Sequence, residues 1–545
     1  MRSILSFSLI LLASQALASP LGALQSRQDS VPSVDLGYEV HTGTENSTGN
    51  YYIFSNVPYA DQPVGDKRFQ KVGLPSGSSS TVNNGSTDQI CYQAYPQWII
   101  EEEAEAYGLS DEEMEEILYS AAGQTEACLL LNVYVPTGVF ASNSSEAPVL
   151  IWIHGGGFTY GSKDGQDPAG IIARSTLNDS DGIIVVNINY RLGMFGWLGG
   201  GGATPNLGLY DQLVAFEWVQ QYISLFGGNP EKITVMGESA GAASILHHIT
   251  SYGGNTTLPF QQGIIQSPAF QANLNLTEGY EKTLAEASNI TGASITSIAE
   301  LSALDAATLQ LINFDAVLSS GEGFFTYGPA PDGTYVPALP QVLLYEGRFN
   351  SDVNVIAAHN SLEAAPFVNS SISTEADVIQ ALEMNYPEAS NATITYILDV
   401  LYPASDYSSE FLRAVQIASD SMFSCSTRFL AVALGNQTYN YLFAVPPGYH
   451  AEDVSYTFFD GDTTTLDDGL AVIADLAYAL QDYIVGFTLS GNPNDSPAGP
   501  ALNFPIYGSN ATVLEFAYTG LLTTHDDMDN DRCPWWQQAY VQGLI

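Results

Sequence analysis

Ser239 stands in Lys232-Ile-Thr-Val-Met-Gly-Glu-Ser-Ala-Gly-Ala-Ala243, where Ile233, Val235 and Met236 read as the end of a buried strand. Gly237-Glu-Ser-Ala-Gly241 then has the G-x-S-x-G form of a tight strand-to-helix turn with a serine at its apex. A side chain at 237 or 241 would crowd the strand or the helix, and a helix starting near Ala240 offers free backbone N–H groups to developing negative charge. Such a serine could attack a carbonyl if a base, an oriented acid and donors for the resulting oxyanion stand around it. Donors are available in Trp152-Ile-His-Gly-Gly-Gly-Phe158, where the N–H groups of Gly156 and Gly157 could converge with that of Ala240. Phosphate binding is the rival use of a glycine loop, but no Lys-Ser/Thr follows these glycines.

Seven histidines could supply the base. His41 is near the N-terminus, His154 belongs to the glycine loop, and His247 and His248 sit on the helix after the elbow. In the chain order nucleophile, acid, histidine, His359, His450 and His525 remain. His450, in Pro446-Pro-Gly-Tyr-His-Ala-Glu-Asp453, follows turn residues and stands in a loop able to reach over a sheet, whereas His525 in Thr523-Thr-His-Asp526 reads as solvated loop. The acid should follow a late β run. Val353 to Ala358 is such a run and leads directly to Glu363, although spacing leaves Asp352 and Asp399 as alternatives.

These groups need a rigid scaffold. Tyr51–Phe54, Leu129–Val135, Val149–His154, Ile183–Ile188, Ile233–Met236, Gly263–Gln266 and Val353–Ala358 are strand candidates, several of them unbroken apolar runs. Helical stretches such as 212–226 separate them, which predicts a parallel sheet covered on both faces, with the serine at the C-terminal end of a central strand. Helical patterns also occupy 276–318, 376–382, 411–423 and 468–487. Between Cys91 and Cys128, Trp98-Ile-Ile100 is followed by a segment with nine glutamates and one aspartate from Glu101 to Glu126 and no lysine or arginine. Ser110 and Glu113 fit a capping box, and Met114, Ile117, Leu118 and Ala121 keep helical spacing. The segment is either a surface helix packed on the body or a flap over an active-site mouth, and a bond between the two bordering cysteines would fix the flap's base and leave its middle free.

Composition bounds the setting. Fourteen Lys and Arg against 59 Asp and Glu give a net charge of −45, a field that repels nucleic acid and anionic membranes and suits neutral or cationic substrates. Residues 1–18, with Arg2, the apolar stretch Ile4–Ala13 and Ala16-Leu-Ala18, predict a secretory signal peptide, and 19–32 a polar mature start. Residues 33–545 form one catalytic domain in this reading, with a flap loop at 91–128 and a helical cap region at about 276–345. No run is long enough for a transmembrane segment. Sequons at Asn46, Asn84, Asn143, Asn178, Asn255, Asn275, Asn289, Asn369, Asn391, Asn436, Asn494 and Asn510 agree with a secreted, extracellular protein. Four cysteines allow three pairings.

The chain resembles the fungal type-B carboxylesterases and lipases, the cholinesterase-like branch of the α/β-hydrolases, from about Val34 to Trp536. The matching stretches are Phe54-Ser-Asn-Val-Pro-Tyr-Ala60, Glu126-Ala-Cys-Leu-Leu-Leu-Asn132, His154-Gly-Gly-Gly-Phe158, Asn189-Tyr-Arg-Leu-Gly193, Asn206-Leu-Gly-Leu-Tyr-Asp-Gln212, Phe226-Gly-Gly-Asn-Pro230 and the elbow. The resemblance implies the α/β-hydrolase fold, a large mostly parallel central sheet flanked by helices. It implies Ser239 as nucleophile, Glu363 as acid, His450 as base, and Gly156, Gly157 and Ala240 as oxyanion donors. It also implies the disulfides Cys91–Cys128 and Cys425–Cys533. Ala364 replaces the family's glycine after the acid, and Ala127 the aspartate before Cys128. The expected function is hydrolysis of small neutral carboxylic esters through an acyl-enzyme, with no cofactor and no metal. Lipase or sterol esterase action on long-chain esters, an esterase or transacylase dedicated to one secondary metabolite, and a non-catalytic binding protein are the alternatives.

Overall fold

The structure, a computed structural model, describes residues 31–79, 81–142, 144–271, 275–467 and 469–545. The signal segment 1–18, residues 19–30 of the predicted mature start and the Asn143 sequon lie outside them.

One eleven-stranded sheet organises the chain. Its strands are β1 (Thr44–Asn46), β2 (Tyr51–Pro58), β3 (Leu130–Pro136), β4 (Ala147–Ile153), β5 (Ile184–Ile188), β6 (Gly228–Glu238), β7 (Gln262–Gln266), β8 (Asn354–Asn360), β9 (Tyr439–Ala444), β10 (Thr512–Ala517) and β11 (Gly520–His525). They lie in the order β11-β10-β9-β8-β7-β6-β4-β5-β3-β2-β1. The seven strands from β10 to β5 run parallel, and antiparallel strands flank them on both sides.

The unbroken apolar runs are explained by what covers them. Along β4, Val149, Ile151 and Ile153 enter one hydrophobic cluster while Leu150 and Trp152 enter another, and β6, β7 and β8 divide their side chains in the same way. Successive strand residues point to opposite faces, so only a sheet buried on both faces selects apolar residues at every position. The first face is covered by helices that include α3 (Leu207–Tyr222) and α4 (Ala240–Ile249), the second by α9 (Ala474–Ser490).

Strand register places the site. Gly237 of β6 pairs with Ile153 of β4, Glu238 with Gln266 of β7, Gln266 with Ala358 of β8, and Asn360 with Phe443 of β9. The C-terminal ends of these five strands are thus level, and the segments leaving them, including 239, 361–363 and 445–450, emerge side by side.

The segment between the first two cysteines forms α1 (Gln97–Tyr107) and α2 (Asp111–Tyr119), the latter opened by the expected Ser110/Glu113 capping box. The region 276–345 contains α5 (Leu276–Thr291), α6 (Ala306–Leu318) and two shorter helices, with no helix between 319 and 339. Further on come α7 (Glu375–Asn385) and α8 (Glu410–Ser419). The helix expected from 468 starts at Ala474. Before it, Leu466–Asp467 and Leu470–Ala471 make a two-stranded pair around Gly469, whose φ of +75° a helix cannot hold.

Candidate active site

Ser239 occupies the turn between β6 and α4 with φ 54° and ψ −120°, a conformation that costs a non-glycine residue about 1–3 kcal/mol and is held by its surroundings. The Ser239 N–H donates to the Gln266 carbonyl at 3.0 Å, and the N–H of Ala243 donates to the Ser239 carbonyl at 2.9 Å. The flanking glycines are sterically required. A Cβ on Gly241 would lie 2.0 Å from the Ile153 carbonyl oxygen, and one on Gly237 2.7 Å from the Gly241 carbonyl carbon. The glycine loop after β4 presses against the same turn, since a Cβ on Gly155 would stand 3.0 Å from the Ser239 Cβ. Gly156 and Gly157 both have positive φ, 100° and 56°, and the N–H of Ala240 opens α4 without an intrahelical acceptor.

Glu363 and His450 meet above the strand ends. His450 Nδ1 lies 2.7 Å from Glu363 Oε2, while Glu363 Oε1 accepts from the Asn360 N–H and from Ser267 Oγ, each at 2.6 Å. The two segments are sewn together by Leu362 N–H to the Gly448 carbonyl, 2.7 Å, and Asn360 Nδ2 to the Tyr449 carbonyl, 2.6 Å. Glu363 is fully buried and His450 nearly so. Ala364 sits at φ −86°, so the departure from glycine costs the backbone nothing, and its N–H donates to Ser419 Oγ.

Two carboxyl groups beside the imidazole are the residues that sequence reasoning missed. Glu238 Oε1 is 3.1 Å from His450 Nε2, and burial, with Asp453 and Glu363 nearby, pushes the Glu238 carboxyl up to about 8. Asp453 is buried behind, held by Tyr441 Oη at 2.6 Å and Gln266 Nε2 at 3.2 Å, and burial lifts it to about 6. Burial pulls His450 down, but the neighbouring carboxylates, Glu238 and Glu363 foremost, outweigh it and the net direction is upward. Once Glu238 holds its proton its pull on His450 disappears, leaving Glu363 and Asp453 as the charges acting on the ring. Both acids were visible in the motifs, as the glutamate of G-E-S-A-G and the aspartate three residues after His450, but spacing alone assigned them nothing.

An aromatic cluster packs beside the imidazole. Trp98 of α1 packs edge-to-face on Phe325 and Phe367, each at 5.7 Å between centroids, and its Nε1 donates to the Phe324 carbonyl at 3.2 Å. Phe367 and Phe423 flank the His450 ring at 5.2 and 4.6 Å. Tyr160, beside the glycine loop, stacks on Tyr95 at 4.8 Å. The start of the 91–128 segment is therefore packed beside His450, while further along Met114 is buried in the core and Tyr119 packs edge-to-face on Phe314 at 5.1 Å. On its inner side Glu103 is pushed up to about 7 by burial and by Glu102.

The other candidates lie elsewhere. His359 Nε2 is 3.4 Å from Asp527 Oδ1 and 3.9 Å from Asp526 Oδ1. Burial lowers it, but Asp527 and Asp526 outweigh that and raise it to about 9. These three residues are close enough to share a cation, yet Asp526 already accepts from Tyr507 Oη and the Met528 N–H, and the charged imidazole answers the two acids as an ion pair. His525 is exposed beside Asp529, and Asp352 and Asp399 are exposed. Cys91 is bonded to Cys128 and Cys425 to Cys533. Of the described sequon asparagines, Asn46, Asn436 and Asn494 are partly buried, the remainder exposed, and Asn494 exchanges two hydrogen bonds with the Phe504 backbone.

The sequence profile of the carboxylesterase family matches residues 36–536. A carboxylesterase of Aspergillus clavatus, patB, is 35% identical, the match covering 98% of this chain and 99% of that one. A secreted lipase of Arthroderma benhamiae is 28% identical over 76% of this chain and 83% of its own length. Among solved structures, EstA of Aspergillus niger superposes with a TM-score of 0.80 at 25% identity, covering 94% of this chain and 99% of its own. Among the described residues, no helix is long and apolar enough to cross a membrane.

Proposed function

The chain belongs to the carboxylesterase family and is a carboxylic ester hydrolase, and from that premise we propose that Ser239, His450 and Glu363 carry the reaction. His450 Nε2 takes the Ser239 hydroxyl proton as Oγ attacks the ester carbonyl carbon. Glu363, at 2.7 Å from Nδ1, fixes the tautomer and stabilises the imidazolium. The N–H groups of Gly156, Gly157 and Ala240 receive the oxyanion. Collapse of the tetrahedral intermediate expels the alcohol, which takes the proton from His450, and water repeats the attack on the acyl-serine. The observation that carries this reading is the buried Glu363–His450 contact over the strand ends from which the Ser239 elbow also emerges.

The preferred substrate class is a small, neutral, water-soluble or micellar ester. The acidic α1–α2 surface, with nine glutamates and one aspartate from Glu101 to Glu126 and no lysine or arginine, disfavours an anionic substrate and an anionic lipid interface. The aromatic cluster of Trp98, Phe325 and Phe367 supports a second reading, a lipase whose cover opens on long-chain esters. The leader at 1–18 and the secreted relative support export. A fluorophosphonate should label Ser239 and abolish turnover of p-nitrophenyl butyrate, and Ser239→Ala should lose at least about 10³ in rate while staying folded. Labelling at another residue, or retention of a tenth of the wild-type rate, sinks the assignment.

A further inference from the structure

His248 lies nine residues past Ser239, on the nucleophile helix and outside the reaction centre, and it is buried to within 1%. Its two ring nitrogens are both engaged, Nδ1 at 2.6 Å from Tyr335 Oη and Nε2 at 2.9 Å from Gln212 Oε1. Gln212 Nε2 then donates to Ser244 Oγ at 3.0 Å, and Ser244 Oγ to the Ala240 carbonyl at 2.9 Å. Burial holds the imidazole down to about 3, so it is neutral at any working pH. With Gln212 Oε1 facing Nε2, one proton arrangement satisfies the four side chains. The Tyr335 hydroxyl donates to Nδ1, Nε2–H to the Gln212 carbonyl oxygen, the Gln212 amide to Ser244, and the Ser244 hydroxyl to Ala240. All four side chains are at least 98% buried, so an unmade bond anywhere in the chain would be costly.

We propose that Tyr335, His248, Gln212 and Ser244 form a positioning relay that holds the first turn of α4, and with it the Ala240 N–H, in register with the glycine loop. It spans three separate parts of the fold: α4, α3 through Gln212, and the helix-free stretch 319–339 of the cap region through Tyr335. Tyr335 is anchored in turn by its carbonyl, which accepts from the Tyr252 N–H at 3.0 Å, and by its ring, 4.8 Å from Tyr210. His248 touches no substrate in this reading. It acts through the oxyanion donor, whose alignment matters more in the transition state than in the bound ester.

The proposal rests on Ser239 being the nucleophile. The test uses His248→Phe, Tyr335→Phe and Ser244→Ala, with active sites counted by fluorophosphonate titration. For each, kcat and KM on p-nitrophenyl butyrate and the Ki of an alkyl trifluoromethyl ketone, which presents an oxyanion, are measured. The expected result is a kcat per titrated site lower by about tenfold, a fraction of what losing a whole oxyanion donor costs. KM should stay within about twofold, and Ki should rise in parallel with the loss in kcat. If His248→Phe does not fold, the other two variants, each lacking a single hydroxyl, decide. A kcat and Ki unchanged within twofold in both overturn the relay, even if melting temperature falls, because a merely structural bond would lower only the latter. A wild-type enzyme not labelled at Ser239 would instead overturn the nucleophile assignment.

Discussion

Replacing Trp98 with alanine tests whether α1 is a latch or a fixed wall. The side chain gives the closed mouth two edge-to-face contacts, with Phe325 and Phe367, and one hydrogen bond to the Phe324 carbonyl. Aromatic pairs contribute about 0.5–1.5 kcal/mol each and a neutral hydrogen bond about 0.5–1.5, so the closed arrangement loses roughly 2–4 kcal/mol. If opening limits access, about 1.4 kcal/mol is tenfold in population, and an ester that needs the open mouth should gain at least that much. The assay is kcat/KM for p-nitrophenyl acetate, butyrate, octanoate and palmitate on wild type and Trp98→Ala, with melting temperature in parallel. A latch predicts that the octanoate-to-acetate ratio rises about tenfold or more, because the short ester needs little of the space that Trp98 fills. A ratio unchanged within twofold, with lowered melting temperature, refutes the latch and leaves Trp98 as a wall of the pocket.

Glu363→Gln should cost about 10³–10⁴ in kcat with little change in KM, since the wrong tautomer of His450 is then stabilised, while Asp352→Asn and Asp399→Asn stay near wild type. A loss in either of those two without a loss in Glu363→Gln would contradict the assignment. The His359 ion pair makes a signed prediction: its folded value of about 9 lies above the ordinary 6.5, so its stabilisation is complete below about pH 6.5 and disappears as pH rises through 9. The difference in melting temperature between wild type and His359→Gln should therefore close between pH 6 and 10, and a gap that persists at pH 10 counts against the pair. Glu238, raised to about 8 by burial, should likewise make stability fall as pH climbs from about 4.5 through 8, a slope that Glu238→Gln flattens in pH-dependent melts. Gly241→Ala places a methyl 2.0 Å from the Ile153 carbonyl oxygen, which belongs to a central strand and cannot yield, so a loss of at least about 3 kcal/mol or failure to fold is expected. A melting temperature within a few degrees of wild type would show the elbow to be more pliable than this packing allows.

The elements best read from sequence were those whose constraint is local or doubly imposed. The runs at Val149–Ile153 and Ile184–Ile188 are apolar at every position because both sheet faces are covered, and the elbow glycines are forced by backbone atoms within the same turn. The terminal strands were not read. In Tyr439–Ala444 the buried Asn440, which accepts from Thr438 Oγ1, breaks the apolar run, and in the hairpin Thr512–His525 polar residues occupy half-buried or exposed positions at the sheet edge. The helix expected from 468 failed on a glycine that the turn at 469 needs, a preference that apolar spacing does not record.

The sequence by itself determined the chemistry on offer: a serine at a strained turn, a glycine loop for an oxyanion, and a short list of acids and histidines in chain order. It could not choose among Glu363, Asp352 and Asp399, or among His359, His450 and His525, without a family likeness. Those choices depend on which strand ends are level, and that is set by the register of β6, β7, β8 and β9, whose pairings join segments far apart in the chain, such as Gln262 with Asn354. Only the tertiary structure brought His450 within 2.7 Å of Glu363, put His359 between Asp526 and Asp527, and turned Glu238 toward the imidazole. It also packed Trp98 on Phe325 and Phe367, because the Cys91–Cys128 bond fixes where the segment leaves and returns but not which face its helices bury.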